Sequence, residues 1–166
     1  NQGRDCAIGW YKNPQRAAVL RFSVPVYQDK SVAVVFRKND TRLAESSTLN
    51  QLFQSPLIWL KKSAYSYGQE VDQLSLKFNP SHKLSSMENL GLLQMLIYQR
   101  ADYLLMAPEE LADLFAQHPR LNKQIDYRSL SDLHTREHRY LVCSQHVEPE
   151  LIEQLNVELT KLTTKN

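Results

Sequence analysis

The chain has 166 residues, of which 42% are hydrophobic and 23% charged, enough to bury a core as one domain or two small ones. Twenty lysines and arginines against eighteen aspartates and glutamates leave a formal charge of +2; the basic residues are scattered, so no nucleic-acid partner or anionic membrane is expected. No apolar run approaches the roughly 18 to 20 residues of a membrane span and none is laid out as a signal peptide, so the expectation is a cytoplasmic protein or one whose leader has been removed.

In chain order, DCAIG (residues 5–9) reads as a buried strand with nothing before it to pair with. Asn13 is a candidate N-cap and Pro14 suits the first helical position, which places Arg16 in the first turn of a short helix. SVAVVFRK (residues 31–38) and SPLIWLKKS (residues 55–63) read as strands. Between Tyr65 and Phe78, the apolar positions Tyr67, Val71, Leu74 and Phe78 recur at helical intervals. Ser85 and Glu88 form a capping-box pattern ahead of a helix carrying Leu90, Leu93 and Ile97. ADYLLM (residues 101–106) is a strand, and Pro108 opens a helix through Gln117 with Glu109 and Glu110 at its positive end. RYLVCS (residues 139–144) is another strand, and Pro149 and Glu150 open the last helix. The alternation predicts an α/β protein with largely parallel sheets.

Few residues announce chemistry. HTREH (residues 134–138) has the H-x-x-E-H form of a zinc-peptidase class, but it lies between SLSDL and a strand without a helical apolar face, so it reads as a polar connector. No nucleophile elbow, phosphate-binding glycine loop or dinucleotide fingerprint is present. Arg16 opposes the dipole of its helix, an unfavourable placement that an anionic ligand would reverse; the competing reading is a solvated surface arginine. Trp10 and Tyr11 follow the first strand directly, where open α/β sheets hold ligands, although both also suit a core. Cys6 and Cys143, near opposite ends of the chain, fit no metal or redox spacing and read equally as buried thiols or as a disulfide between neighbouring strands.

Four segments together resemble the bacterial extracellular solute-binding proteins of family 3, with the type II periplasmic binding-protein fold. DCAIGWYKNPQRAAVLRFSVPVYQDKSVAVVFRK is similar to the family's strand, N-P-x-R helix and F-S-x-P-Y turn leading into the first hinge crossing. SYGQEVDQL resembles the helix that opens the second lobe, QMLIYQRADYLLMAPEEL its R-A-D strand and helix, and RYLVCSQHVEPELIEQLNVELTKL the return strand and terminal helix of the first lobe.

The resemblance implies an α/β fold of two lobes with mixed, mainly parallel sheets. Residues 1–30 and 138–166 would form a first lobe lacking the family's N-terminal βαβα segment, and residues 31–137 a second lobe. It also implies capture of a small polar or anionic solute, amino-acid-like in character, in the periplasm, without enzymatic activity or cofactor. The implied partners are a membrane transporter or sensor, with self-association through the incomplete lobe. Two alternatives remain: an enzyme on the same fold, dehydratase-like or fused to a peptidoglycan-cleaving domain, or a non-binding structural or regulatory module.

Carried over by position, Arg16 matches the arginine that clamps a ligand α-carboxylate. Trp10, Tyr11, Tyr65, Ser66 and Glu109 complete the expected ligand-binding set, with no metal ligands. Tyr11 stands where a threonine is common. Ala107 occupies the place of the acidic residue that holds a ligand amino group, so Glu109 or Glu110 is the nearest substitute. The resemblance finally places Cys6 and Cys143 on adjacent strands as a disulfide.

Overall fold

The computed structural model describes residues 3–44, 48–133 and 137–163. The chain divides into two compact units, one formed by residues 1–29 and 136–166 and the other by residues 30–135.

The first unit is built on β1 (Cys6–Tyr11), β2 (Leu20–Gln28) and β8 (His138–Ser144), in the order β1-β8-β2. Both pairings are antiparallel, which corrects the expectation of a mainly parallel sheet. No helical crossover joins the central strand to either neighbour in a parallel sense; β8 returns from the far end of the chain and runs back between the two strands of the opening segment. β1 is also not the buried strand its composition predicts: Ile8 is 63% exposed and most of its neighbours along the strand are exposed too. Among the described residues it is an outer strand paired with β8 alone. Between β1 and β2 lies the one-turn helix α1 (Pro14–Ala17), capped as expected by the Asn13 side chain, which accepts from the Arg16 amide at 2.8 Å. The last helix, α7 (Pro149–Thr163), packs on β2, where Asn156 Oδ1 accepts from the Val24 amide at 2.8 Å. The core is small: Cys143, Val147 and Ile152, with Leu141 against them.

The second unit begins with β3 (Ala33–Arg37), followed by α2 (Thr41–Ala44), α3 (Leu49–Gln54) and β4 (Trp59–Lys62). It continues through α4 (Gln69–Phe78), β5 (His82–Ser85), α5 (Asn89–Ile97), β6 (Tyr103–Met106), α6 (Pro108–Gln117), a 3-10 turn (Pro119–Lys123) and β7 (Ile125–Ser129). Its sheet order is β5-β4-β6-β3-β7. β4 is parallel to β5 and β6, strands joined through α4 and α5, whereas β3 is antiparallel to both β6 and β7.

The strands β3 and β6 are buried along almost their whole length because both faces of this sheet are covered. Val34, Phe36, Trp59, Tyr103 and Leu105 point into one core, with α3 and α4 over it. Val35, Leu60, Leu104 and Met106 point into the other, closed by Leu92, Leu93 and Leu96 of α5 and Leu111 of α6. Each leucine fully removed from water there contributes about 1.5 to 3 kcal/mol.

Local boundaries differ from the sequence reading in two places. The helix expected from Tyr65 begins at Gln69; Val71, Leu74 and Phe78 face the core as predicted, while Tyr67 is buried from the preceding loop, its hydroxyl accepting from the Lys62 amide at 2.8 Å. The capping box at Ser85 does not form, because β5 runs through Ser85 and the helix starts four residues later. Ser85 Oγ accepts from the Met87 amide at 3.2 Å, and Glu88 pairs with Lys62 at 2.8 Å.

Candidate functional site

In the first unit the expected residues Trp10, Tyr11 and Arg16 are neighbours. The β1–β8 register slips between Ile8 and Trp10, and Gly9 at the slip has φ +89°, a conformation that strains any residue with a Cβ. Trp10 emerges from this bulge 40% exposed. The Arg16 guanidinium lies over its ring, 4.7 Å from the centroid, and Arg16 Nη1 donates to the Tyr11 carbonyl at 3.0 Å. The N-cap at Asn13 fixes the helical turn that carries Arg16 across the strand end. An arginine held over an aromatic face in this way can recognise a planar carboxylate through paired hydrogen bonds.

Tyr11 itself is buried, 4% exposed, and its hydroxyl donates to Asp29 Oδ2 at 2.6 Å. Arg139 Nε donates to the same oxygen at 2.5 Å, its Nη1 donates to the Gly9 carbonyl at 2.8 Å, and its guanidinium carbon sits 3.7 Å from the Tyr11 ring centroid. Neither Asp29 nor Arg139 is marked by any local sequence pattern. They are 110 positions apart and meet only because Asp29 follows the end of β2 and Arg139 lies at the start of β8.

In the second unit, Tyr65 is half-buried with its ring edge-on to Tyr67, centroids 4.9 Å apart. Ser66 is buried and donates to Asp72 Oδ2 at 2.5 Å, while the Tyr67 amide donates to Asp72 Oδ1 at 3.1 Å; this arrangement shapes the loop entering α4. Glu109 is exposed and pairs with Lys30 at 3.6 Å. Glu110, the other carboxylate near the Ala107 position, accepts from Asn89 Nδ2 at 2.9 Å and lines a narrow pocket with Lys62, Tyr65, Tyr67 and Ala107. Burial pushes the Tyr67 hydroxyl above its ordinary range, keeping it neutral.

Of the HTREH motif, residues 134–136 lie outside the described residues, and His138 begins β8. Among the described residues no group of three histidine, cysteine or acidic side chains is placed to hold a metal ion. Cys6 and Cys143 are directly opposite in the β1–β8 register and form a disulfide, with Cα atoms 4.1 Å apart.

No family model and no curated protein matches the chain. Solved structures do. An ancestral arginine-binding protein bound to arginine superposes with a TM-score of 0.72 at 17% identity, covering 94% of this chain and 64% of its own. The structure described for glutathione import through GshT and the cystine importer TcyBC of Streptococcus mutans matches with a TM-score of 0.72 at 13% identity, covering 93% and 62%. The B. pertussis BvgS periplasmic domain matches with a TM-score of 0.68 at 14% identity, covering 94% of this chain and 27% of its own. The chain thus spans less than two thirds of the length of these proteins, and at such identities the likeness is one of fold: the chain has the α/β fold of the type II periplasmic binding proteins.

Proposed function

We propose that the chain is the solute-binding part of an extracytoplasmic binding protein and that Arg16, stacked on Trp10, recognises the carboxylate of a small polar solute for transport or sensing. The observation that carries this reading is the Trp10–Arg16 pair: a guanidinium 4.7 Å from an indole face and anchored to the Tyr11 carbonyl, at the end of a strand in this fold. Arginine, glutamine and glutathione, the solutes named for similar structures, share an α-carboxylate, which is the group a guanidinium fork reads. The Cys6–Cys143 disulfide supports an oxidising compartment outside the cytoplasm. In the second unit, Tyr65 and Glu110 line one narrow pocket, Ser66 shapes the neighbouring loop, and Glu109 contributes negative charge at the start of α6.

Ligand-induced thermal stabilisation tests the assignment. L-arginine, L-glutamine and glutathione are added separately to the protein and to Arg16→Ala and Arg16→Lys. At least one solute is expected to raise the melting temperature; Arg16→Ala should abolish the rise and Arg16→Lys should restore little of it, because a lysine cannot reproduce the planar fork. An undiminished rise in Arg16→Ala removes Arg16 from the site.

A further inference from the structure

We infer that the buried Asp29–Arg139 pair is a positioning device for the Trp10–Arg16 site, acting through Tyr11; the inference rests on the proposed reading of Arg16. Three observations converge on the backbone of residues 9–11. Arg139 is opposite Tyr11 in the β1–β8 ladder, and one guanidinium does two things: it covers the Tyr11 ring at 3.7 Å and donates to the Gly9 carbonyl at 2.8 Å. Asp29, accepting from both Arg139 and the Tyr11 hydroxyl, fixes the far end of the same ring. The Tyr11 carbonyl then accepts from Arg16, and Trp10, between the two anchored residues, supplies the face on which Arg16 lies.

The pair is 7% and 8% exposed at its side chains, so it does not meet solute from bulk water. Its effect is to hold the bulge at Gly9 in one geometry. Asp29 and Arg139 are therefore positioning residues, and a side chain that must hold one productive geometry is sensitive to such support.

The chain has two tryptophans, so Trp59→Phe leaves Trp10 as its only indole reporter. In that background, acrylamide quenching of Trp10 reads whether Arg16 covers the ring, independently of any solute. Tyr11→Phe, which removes one hydroxyl, and Asp29→Asn are expected to raise quenching to the level of Arg16→Ala and to weaken L-arginine binding about tenfold. Ile152→Ala, which loosens the same unit through its small core, should leave quenching unchanged; this separates positioning from general stability. Should Asp29→Asn fail to fold, Tyr11→Phe decides. Quenching in Tyr11→Phe equal to the parent overturns the inference. Raised quenching with L-arginine binding unaffected in every variant, Arg16→Ala included, sustains the positioning of Trp10 and Arg16 and overturns the carboxylate-site reading instead.

Discussion

Cys6 and Cys143 face each other across the β1–β8 ladder, joining residues 137 positions apart within one three-stranded sheet. Among the described residues β1 has one neighbour strand, and its exposed side chains add little burial. The covalent link therefore carries a large share of what holds the opening segment to the sheet. Closing a loop of this length stabilises by about 4 to 5 kcal/mol in the chain-entropy treatment. Reduction, or Cys6→Ser with Cys143→Ser, should lower the stability of the first unit by up to that amount, with hydrogen exchange accelerated in β1 and little changed in β3 and β6. Mass spectrometry of unreduced protein alkylated under denaturing conditions checks the bond itself, and two alkylated cysteines would refute it.

The second unit should lose stability in acid through a defined cluster. Asp40 accepts from Arg42 Nε at 2.8 Å and from Arg37 Nη2 at 2.7 Å; the bond to Arg42, with Arg37 adding to it, outweighs burial and holds the Asp40 carboxyl at about 2, against an ordinary 3.8. Burial alone would raise Asp102, yet bonds from the Ile58 amide and Arg42 bring it below its ordinary value. A carboxyl whose folded value lies below its unfolded one stabilises the fold while ionised. The contribution is complete above about pH 4 and is lost as pH falls toward 2. Asp40→Asn should reduce stability at neutral pH and flatten the acid limb of the unfolding curve, read by circular dichroism.

The sequence reading succeeded where signals are local. Asn13–Pro14, Pro108 and Pro149 each mark a helix start, and the helix expected from Pro108 to about Gln117 spans those residues. It failed where partners are distant. β2, β5 and β7 carry no long apolar run, and each is a strand only because a neighbour offers it a ladder of hydrogen bonds. β1 reads as buried because CAIGW is apolar, but exposure depends on what lies against the sheet, which no local pattern records. The same limit hides Asp29 and Arg139, whereas the cap that sets the turn carrying Arg16 is legible at Asn13.

The cap that sets Arg16 has its own consequence. Asn13→Ala removes the acceptor for the Arg16 amide and should cost about 1 kcal/mol at the start of α1. Because the helix is a single turn, loss of the cap should also disturb the Arg16 side chain, weakening solute-induced stabilisation. Asn13→Ser or Asn13→Asp should preserve both properties, as a thermal titration would show.

Packing in the second unit is the most sensitive to truncation. Leu93 is fully buried between α5 and the sheet, in the core that also holds Leu60 and Leu104. Leu93→Ala should destabilise by about 2 to 5 kcal/mol, from lost transfer energy and the cavity left behind. Urea unfolding followed by Trp59, which is buried in this unit, should show the shift.

Whether Arg16 and Trp10 meet a solute is tested most directly by nuclear magnetic resonance of the protein titrated with L-arginine, L-glutamine and glutathione, following the Arg16 Nε–H and Trp10 indole N–H signals. Binding at this site predicts saturable movement of both signals with at least one solute, and loss of the Trp10 response in Arg16→Ala. Saturable binding that leaves both signals unmoved, or no binding of any of the three at millimolar concentration, would contradict it.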